Sequence, residues 1–269
     1  MGYEHLEVER DEHVATVWLN RPEKLNAMSR DMWEDLPLAV GELNADESVR
    51  VVVLAGRGPS FTAGIDLGML ASFQPSGRSP AESNQRLYEE IQRLQWTSSC
   101  LAESPKPVIA SVHGHCFGAG MGLITACDVR LAAEDSVFSI RETRIAIVAD
   151  VGTLQRLPAI VGAGHTAELA LTGAEIDAGR ALDIGLVNSV HPDFETTYSA
   201  AMGLAAQMAE NSPLVLRGVK RVLAANRGRT VAEALDFVAH WNSEQLMSND
   251  LMEALAAFAE KRPPDFTGS

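Results

Sequence analysis

The 269 residues, 22% of them charged and 46% hydrophobic, hold enough apolar material to bury one main domain with an appendage. Set against 22 basic residues, 36 acidic ones give a net charge of −14, which excludes a nucleic-acid surface or a polybasic membrane anchor. An anionic ligand must therefore be gripped locally.

In chain order, Met1 to Asp11 is polar and acidic, without the basic and apolar regions of a signal peptide, and no apolar run is long enough to span a bilayer. These features predict a cytoplasmic location. Apolar and polar residues alternate from His13 to Leu19, the pattern of a strand with one exposed face, whereas Arg50 to Ala55 and Pro107 to Val112 read as fully buried strands. Arg30 to Leu43 and Ala81 to Ala102 are rich in helix formers and too long for strands. Between them, Ser72 to Ser83 is rich in Ser, Pro and Gly and predicts a mobile loop beside whatever site Gly64-Ile65-Asp66 forms.

Strand, helix, strand, helix, strand is the order of an α/β fold with crossover connections. Beyond about Asn188 strands stop, and from Phe194 amphipathic helices follow, punctuated at Asn211-Ser212-Pro213 and Asn226-Arg227-Gly228 and ending at Pro263-Pro264. This divides the chain into a core, 1–193, and a helical region, 194–269, docked on the core or on a neighbouring subunit. No internal repeat is evident. Cys100, Cys116 and Cys127 are odd in number and lack framework spacing, so they read as reduced and mostly buried.

Two segments share one plan, in which a buried strand ends, small residues turn the chain and a helix begins. The first runs Val51 to Gly56 and then Phe61-Thr62-Ala63-Gly64-Ile65-Asp66; the second runs Val108 to Gly114 and then Phe117-Gly118-Ala119-Gly120-Met121-Gly122. Glycine allows close approach, and the first N–H groups of a helix point outward with partial positive charge, so such turns suit an anion or a developing oxyanion. The bland alternative is that these glycines serve only helix–strand packing. A dinucleotide fingerprint at Gly118-x-Gly120 fails at Leu123, and no strand-ending acid lies at the proper distance, only Asp128 inside the next turn. No Gly-Lys-Ser/Thr follows either turn. His113, His115 and Cys116 lack a second cluster to complete a metal site.

Arg21-Pro22-Glu23-Lys24-Leu25-Asn26-Ala27, Phe61 to Leu67, His113 to Gly120, Thr153 to Pro158, Ala181 to Val187 and Phe258 to Arg262 together resemble the crotonase (enoyl-CoA hydratase/isomerase) family in order and spacing. The resemblance implies a ββα spiral with a C-terminal helical oligomerisation region that builds homotrimers, often paired into hexamers. It also implies a coenzyme A thioester as substrate, a role in fatty-acid metabolism, and no further cofactor or metal. On the matching positions the thioester oxygen lies between the backbone N–H groups of Ile65 and Ala119. Lys24, Leu25, Ala63, Asp66 and Gly118 border the substrate, and Lys261 reaches the coenzyme's phosphates, from the same or a neighbouring subunit.

Hydratases of the family use two glutamates, at positions matching 122 and 142. Here Glu142 is present, but Gly122 has no side chain. Asp150, eight residues beyond Glu142, stands in Ala149-Asp150-Val151-Gly152-Thr153-Leu154-Gln155-Arg156-Leu157-Pro158, which resembles the dienoyl-CoA isomerase branch. In that branch carboxylates matching Glu142 and Asp150 move two double bonds from the 3,5 to the 2,4 positions, although it carries an aspartate where Gly122 stands. The structural alternatives are an ion pair of Glu142 with Arg141 or Arg144, and a turn or cap at Asp150. Four functions remain open from sequence: such an isomerase, an enoyl-CoA hydratase, a non-catalytic acyl-CoA-binding protein, and a different thioester reaction.

Overall fold

The computed structural model of the chain describes residues 2–73 and 77–269. It opens with β1 (Leu6–Asp11) and β2 (Val14–Leu19), an antiparallel hairpin turned through Glu12 at φ 50°. In β1, Leu6 and Val8 alternate with Glu7 and Glu9, an edge-strand pattern hidden by the acidic character of the segment. Helix α1 (Arg30–Ala45) starts where Ser29 Oγ accepts the Met32 N–H, and it buries Met32, Leu36, Val40 and Leu43 at helical spacing.

There follow β3 (Val51–Gly56), α2 (Leu67–Ala71), α3 (Pro80–Glu103), β4 (Val108–Val112), β5 (His115–Phe117), α4 (Ala119–Ala126), β6 (Val129–Ala133) and β7 (Val137–Ser139). The short helices α5 (Thr153–Arg156), α6 (Pro158–Val161) and α7 (Ala163–Thr172) precede β8 (Ile176–Asp177), α8 (Ala178–Asp183) and β9 (Ser189–His191). Four helices end the chain: α9 (Phe194–Ala209), α10 (Pro213–Ala225), α11 (Val231–Gln245) and α12 (Asn249–Glu260). None of the described helices is long and apolar enough to cross a membrane.

A six-stranded sheet runs β1-β2-β3-β4-β6-β9, parallel from β2 onward. β2, β3, β4 and β6 are each followed by a second, very short pairing before the next helix, through Met28 with Ile65, Thr62 with Cys116, β5 with β7, and β7 with β8. This is the expected α/β spiral of ββα turns. The repeat is absent from the sequence because its second strands are only one to three residues long and carry no period of their own.

Three expectations are corrected: the exposure of β2, the point where strands stop and the Ser72–Ser83 loop. β2 is buried at all six positions, not half-exposed, because α9 lies across its second face and the Tyr198 hydroxyl meets Thr16 Oγ1 at 2.9 Å. α9 packs Ala201, Ala205 and Ala209 onto Val14, Val51, Val53 and Ile109 of the sheet, so the first helix of the 194–269 region is itself part of a core layer. Strands do not stop at Asn188, since β9 pairs with β6 as an edge too short to be read. Of the Ser72–Ser83 stretch, residues 74–76 lie outside the described residues, and Pro80 onward is already helix. There Ser79 Oγ accepts the Glu82 N–H and Pro80 supplies the preset φ of a first helical residue.

Candidate active site

The two glycine turns are stitched side by side. The Phe61 N–H donates to the His113 carbonyl at 2.8 Å, the Thr62 N–H to that of His115 at 2.8 Å, and the Phe117 N–H to that of Thr62 at 3.1 Å. Gly64 takes φ 96°, and a Cβ there would lie 2.9 Å from the Phe117 carbonyl oxygen and 3.7 Å from the Ala119 nitrogen. Only glycine lets the backbones at Ile65 and Ala119 approach this closely. Gly118, at φ 52° and ψ −111°, makes the turn into α4.

Both N–H groups expected to hold an oxyanion are left available by this pairing. In the parallel bridge, Met28 donates to the Gly64 carbonyl and accepts from the Asp66 N–H, so the Ile65 N–H faces the opposite side. Ala119 is the first residue of α4, where an N–H has no intrahelical acceptor. The far end of this wholly buried helix is fixed by Arg130, whose guanidinium donates to the carbonyls of Cys127 at 2.7 Å, Ile124 at 3.4 Å and Leu186 at 2.7 Å.

The Arg21–Ala27 motif is the brace behind the first turn. Asn26, fully buried at φ 54°, donates from Nδ2 to the carbonyls of Arg57 (2.8 Å) and Ser60 (2.7 Å) and accepts the Arg21 N–H at 2.7 Å. The Thr62 hydroxyl donates to the Asn26 carbonyl and the Ala63 N–H to that of Leu25. Asp66 accepts from Arg21 at 2.6 Å and caps α2 through the Gly68 and Met69 N–H groups; the Arg21 guanidinium holds its carboxyl below the usual carboxylate range. Its side chain is thereby committed to holding the turn.

A cavity of about 730 Å³ opens in front of the paired turns. Of the residues singled out from sequence, Lys24, Ala63, Ile65, Asp66, Gly118, Ala119, Glu142 and Asp150 all border it. Leu25 and Lys261 do not: Leu25 serves through its carbonyl, and Lys261 is an exposed residue in left-handed conformation at the end of α12. Sequence reasoning did not single out Trp33, Leu94 or Val151, which also line the cavity. Their helical or loop context signals only burial.

Glu142 sits in a short 3-10 turn, Arg141–Ile145, and is 9% exposed. A Cβ placed on Gly118 would lie in ordinary contact with its carboxyl carbon, at 3.6 Å, so the acid sits against this glycine beside Ala119. Burial pushes the Glu142 carboxyl above the ordinary range, the nearby charge of Asp150 adds to this, and Oε2 has no hydrogen-bond partner among the described residues. The ion-pair alternative fails because Arg141 is engaged elsewhere, with Glu175 at 2.6 Å and over the Phe117 ring at 4.3 Å. Asp150 is half-buried, its carbonyl accepts from Gln95 Nε2 of α3 at 3.0 Å, and burial raises its carboxyl also.

His113 Nε2 is hydrogen-bonded with the Gly58 carbonyl at 2.8 Å and His115 Nδ1 with the Ser60 hydroxyl at 3.0 Å, and all three cysteines are free and buried. Residues 9–269 match the enoyl-CoA hydratase/isomerase family model. A human protein named mitochondrial Delta(3,5)-Delta(2,4)-dienoyl-CoA isomerase is 42% identical over 97% of this chain and 81% of its own length; its peroxisomal namesake from Arabidopsis thaliana is 42% identical over 98% of both. The crystal structure of an enoyl-CoA hydratase from Bacillus anthracis superposes with TM-score 0.90 at 30% identity, covering 99% of this chain and 100% of that one. The compartments in the relatives' names overturn the expected cytoplasmic location. Targeting is read by receptors from address segments, so the composition of a folded core does not report it. An α/β spiral with paired N–H donors beside one buried and one half-buried acid, matched over nearly its full length, places the chain in the enoyl-CoA hydratase/isomerase family.

Proposed function

We propose that the protein converts 3,5-dienoyl-CoA thioesters into their 2,4-dienoyl isomers through an enolate held by the N–H groups of Ile65 and Ala119. The observation that carries this is the acid–base inventory of the cavity: Glu142 and Asp150 both border it, while Gly122 offers no second water-activating acid. Removing a proton from C2 spreads negative charge over the thioester oxygen and the conjugated carbons. Returning a proton at C6 leaves double bonds at 2,3 and 4,5, so one proton moves and nothing else is consumed. Two acids set apart suit that task, and carboxyls raised by burial are better proton acceptors than ordinary ones. Each oxyanion donor contributes a factor of about 10² to 10³ in such sites.

Lys24 is assigned to the coenzyme end of the cavity and Lys261 to its phosphates. The helical region is assigned to assembly of a homotrimer or hexamer, supported by exposed apolar residues along it, among them Leu223, Leu235, Leu255 and Phe258. Turnover of 3,5-dienoyl-, 3-enoyl- and 2-enoyl-CoA by pure protein tests the reaction. Rapid hydration of the 2-enoyl thioester with no dienoyl isomerisation favours the hydratase instead, and no turnover of any favours a binding protein. Sedimentation velocity tests the assembly.

A further inference from the structure

We infer that Gln95 of α3 is a positioning residue, whose side-chain amide, donating to the carbonyl of Asp150, fixes where the second acid meets the far end of the dienoyl chain. The inference rests on the reaction proposed above. The two acids are held differently. Glu142 belongs to a 3-10 turn, and the Ile147 N–H donates to its carbonyl at 3.0 Å. Asp150 lies in a stretch that is neither helix nor strand, and Val148, Ala149, Asp150 and Val151 make no backbone–backbone hydrogen bond among the described residues. Such a segment takes its position from side chains.

Two side chains reach it. Gln95 Nε2 donates to the Asp150 carbonyl at 3.0 Å, while Arg156 Nη1 lies 3.5 Å from the Val151 carbonyl oxygen and Nη2 donates to Ser99 Oγ at 2.9 Å. Gln95 and Ser99 stand one turn apart, so both contacts draw the acid segment onto one face of α3. The Gln95 bond is the shorter and acts on the acid's own peptide. A carbonyl only accepts, so the amide nitrogen must face it, and a side chain of equal length without an N–H cannot take its place. α3 is itself tied to α1, where Thr97 Oγ1 donates to the Trp33 carbonyl at 2.9 Å. A group held by a fixed helix is placed more precisely than one left to a loop. Leu87, Ile91 and Leu94 of this helix border the cavity and Gln95 does not, so Gln95 acts through Asp150 and not on the substrate.

Steady-state isomerisation of 3,5-dienoyl-CoA is compared in wild-type protein, Gln95→Met, Asp150→Asn and the double variant. Methionine keeps the length of glutamine and removes the donor. Because a displacement of about 1 Å at a reacting group costs up to about 10²-fold, Gln95→Met lowers kcat about tenfold and leaves KM unchanged. In the Asp150→Asn background the same substitution costs nothing further, since a residue that acts only through Asp150 has no other route to the rate. Gln95→Leu, likewise without a donor, makes the same comparison if Gln95→Met loses its fold by circular dichroism. An unchanged kcat in folded Gln95-substituted protein, or an equal loss in both backgrounds, overturns the inference. Wild-type protein that does not isomerise the dienoyl thioester, or full activity in Asp150→Asn, overturns the proposed reaction itself.

Discussion

Glu142→Gln keeps the shape of a buried side chain and removes its charge, so stability and activity should move in opposite directions. In the folded protein burial raises the Glu142 carboxyl above its unfolded value, with Asp150 adding to the effect. The stability linked to that raised value is fully present below the ordinary glutamate range and is lost as pH rises through the folded one. At pH 8 the wild type holds a buried carboxylate oxygen without a donor, which costs about 1–3 kcal/mol. Glu142→Gln should therefore raise stability by about that amount at pH 8 and by little near pH 4. The corresponding rise in Tm is about 2–4 °C per kcal/mol for a chain of this order. Turnover should fall by about 10²- to 10⁴-fold, with thioester binding kept. Urea unfolding at both pH values, at one protein concentration, together with steady-state kinetics, makes the comparison. A variant destabilised at pH 8 refutes the burial argument, and one with full turnover refutes the role given to Glu142.

Ala119→Pro removes the N–H assigned to the enolate oxygen, whereas Ala119→Ser keeps it; the first should abolish activity and the second be mild, and equal loss in two folded variants counts against the donor. Lys261→Ala should weaken binding of coenzyme A thioesters and spare short pantetheine thioesters, measured by KM for each; parallel losses mean that the residue acts through folding or assembly. Asn26→Ala leaves one buried carbonyl, one part-buried carbonyl and one N–H without their side-chain partner and puts alanine at φ 54°, so unfolding free energy should drop by about 3–6 kcal/mol. A loss under about 1 kcal/mol in a urea titration shows that the Arg21–Ala27 brace matters less than its geometry implies.

The long buried strands Val51–Gly56 and Val108–Val112 were legible because parallel strands covered on both faces read as unbroken apolar runs. The polar Thr16 misled for the same reason that its strand is covered: its hydroxyl finds Tyr198, 182 residues away, a partner that no local pattern reveals. Glycines at 64 and 118 announced two tight turns suited to an anion, yet their adjacency depends on Thr62 pairing with the His115–Phe117 strand across more than fifty residues. Glu142 lies between two arginines in sequence, which locally suggests a solvated ion pair. Its buried position follows from Arg141 turning to Glu175 and Phe117, and only the family resemblance pointed to it beforehand. Asp66 shows the reverse case, a motif residue beside the site whose carboxylate is spent on Arg21 and on the cap of α2.

The most direct test of the central claim is the rate of 3,5-dienoyl-CoA isomerisation by wild-type protein and by Asp150→Asn. A single glutamate can shift one double bond by swinging from C2 to C4, but moving two needs a proton taken at C2 and returned at C6, where a second carboxylate is required. Asp150→Asn should therefore lose dienoyl isomerisation by about 10²-fold or more while any 3-enoyl isomerisation stays largely in place. If wild-type protein ignores the dienoyl thioester but hydrates a 2-enoyl thioester rapidly, and Asp150→Asn does so equally well, the two-carboxylate account is contradicted.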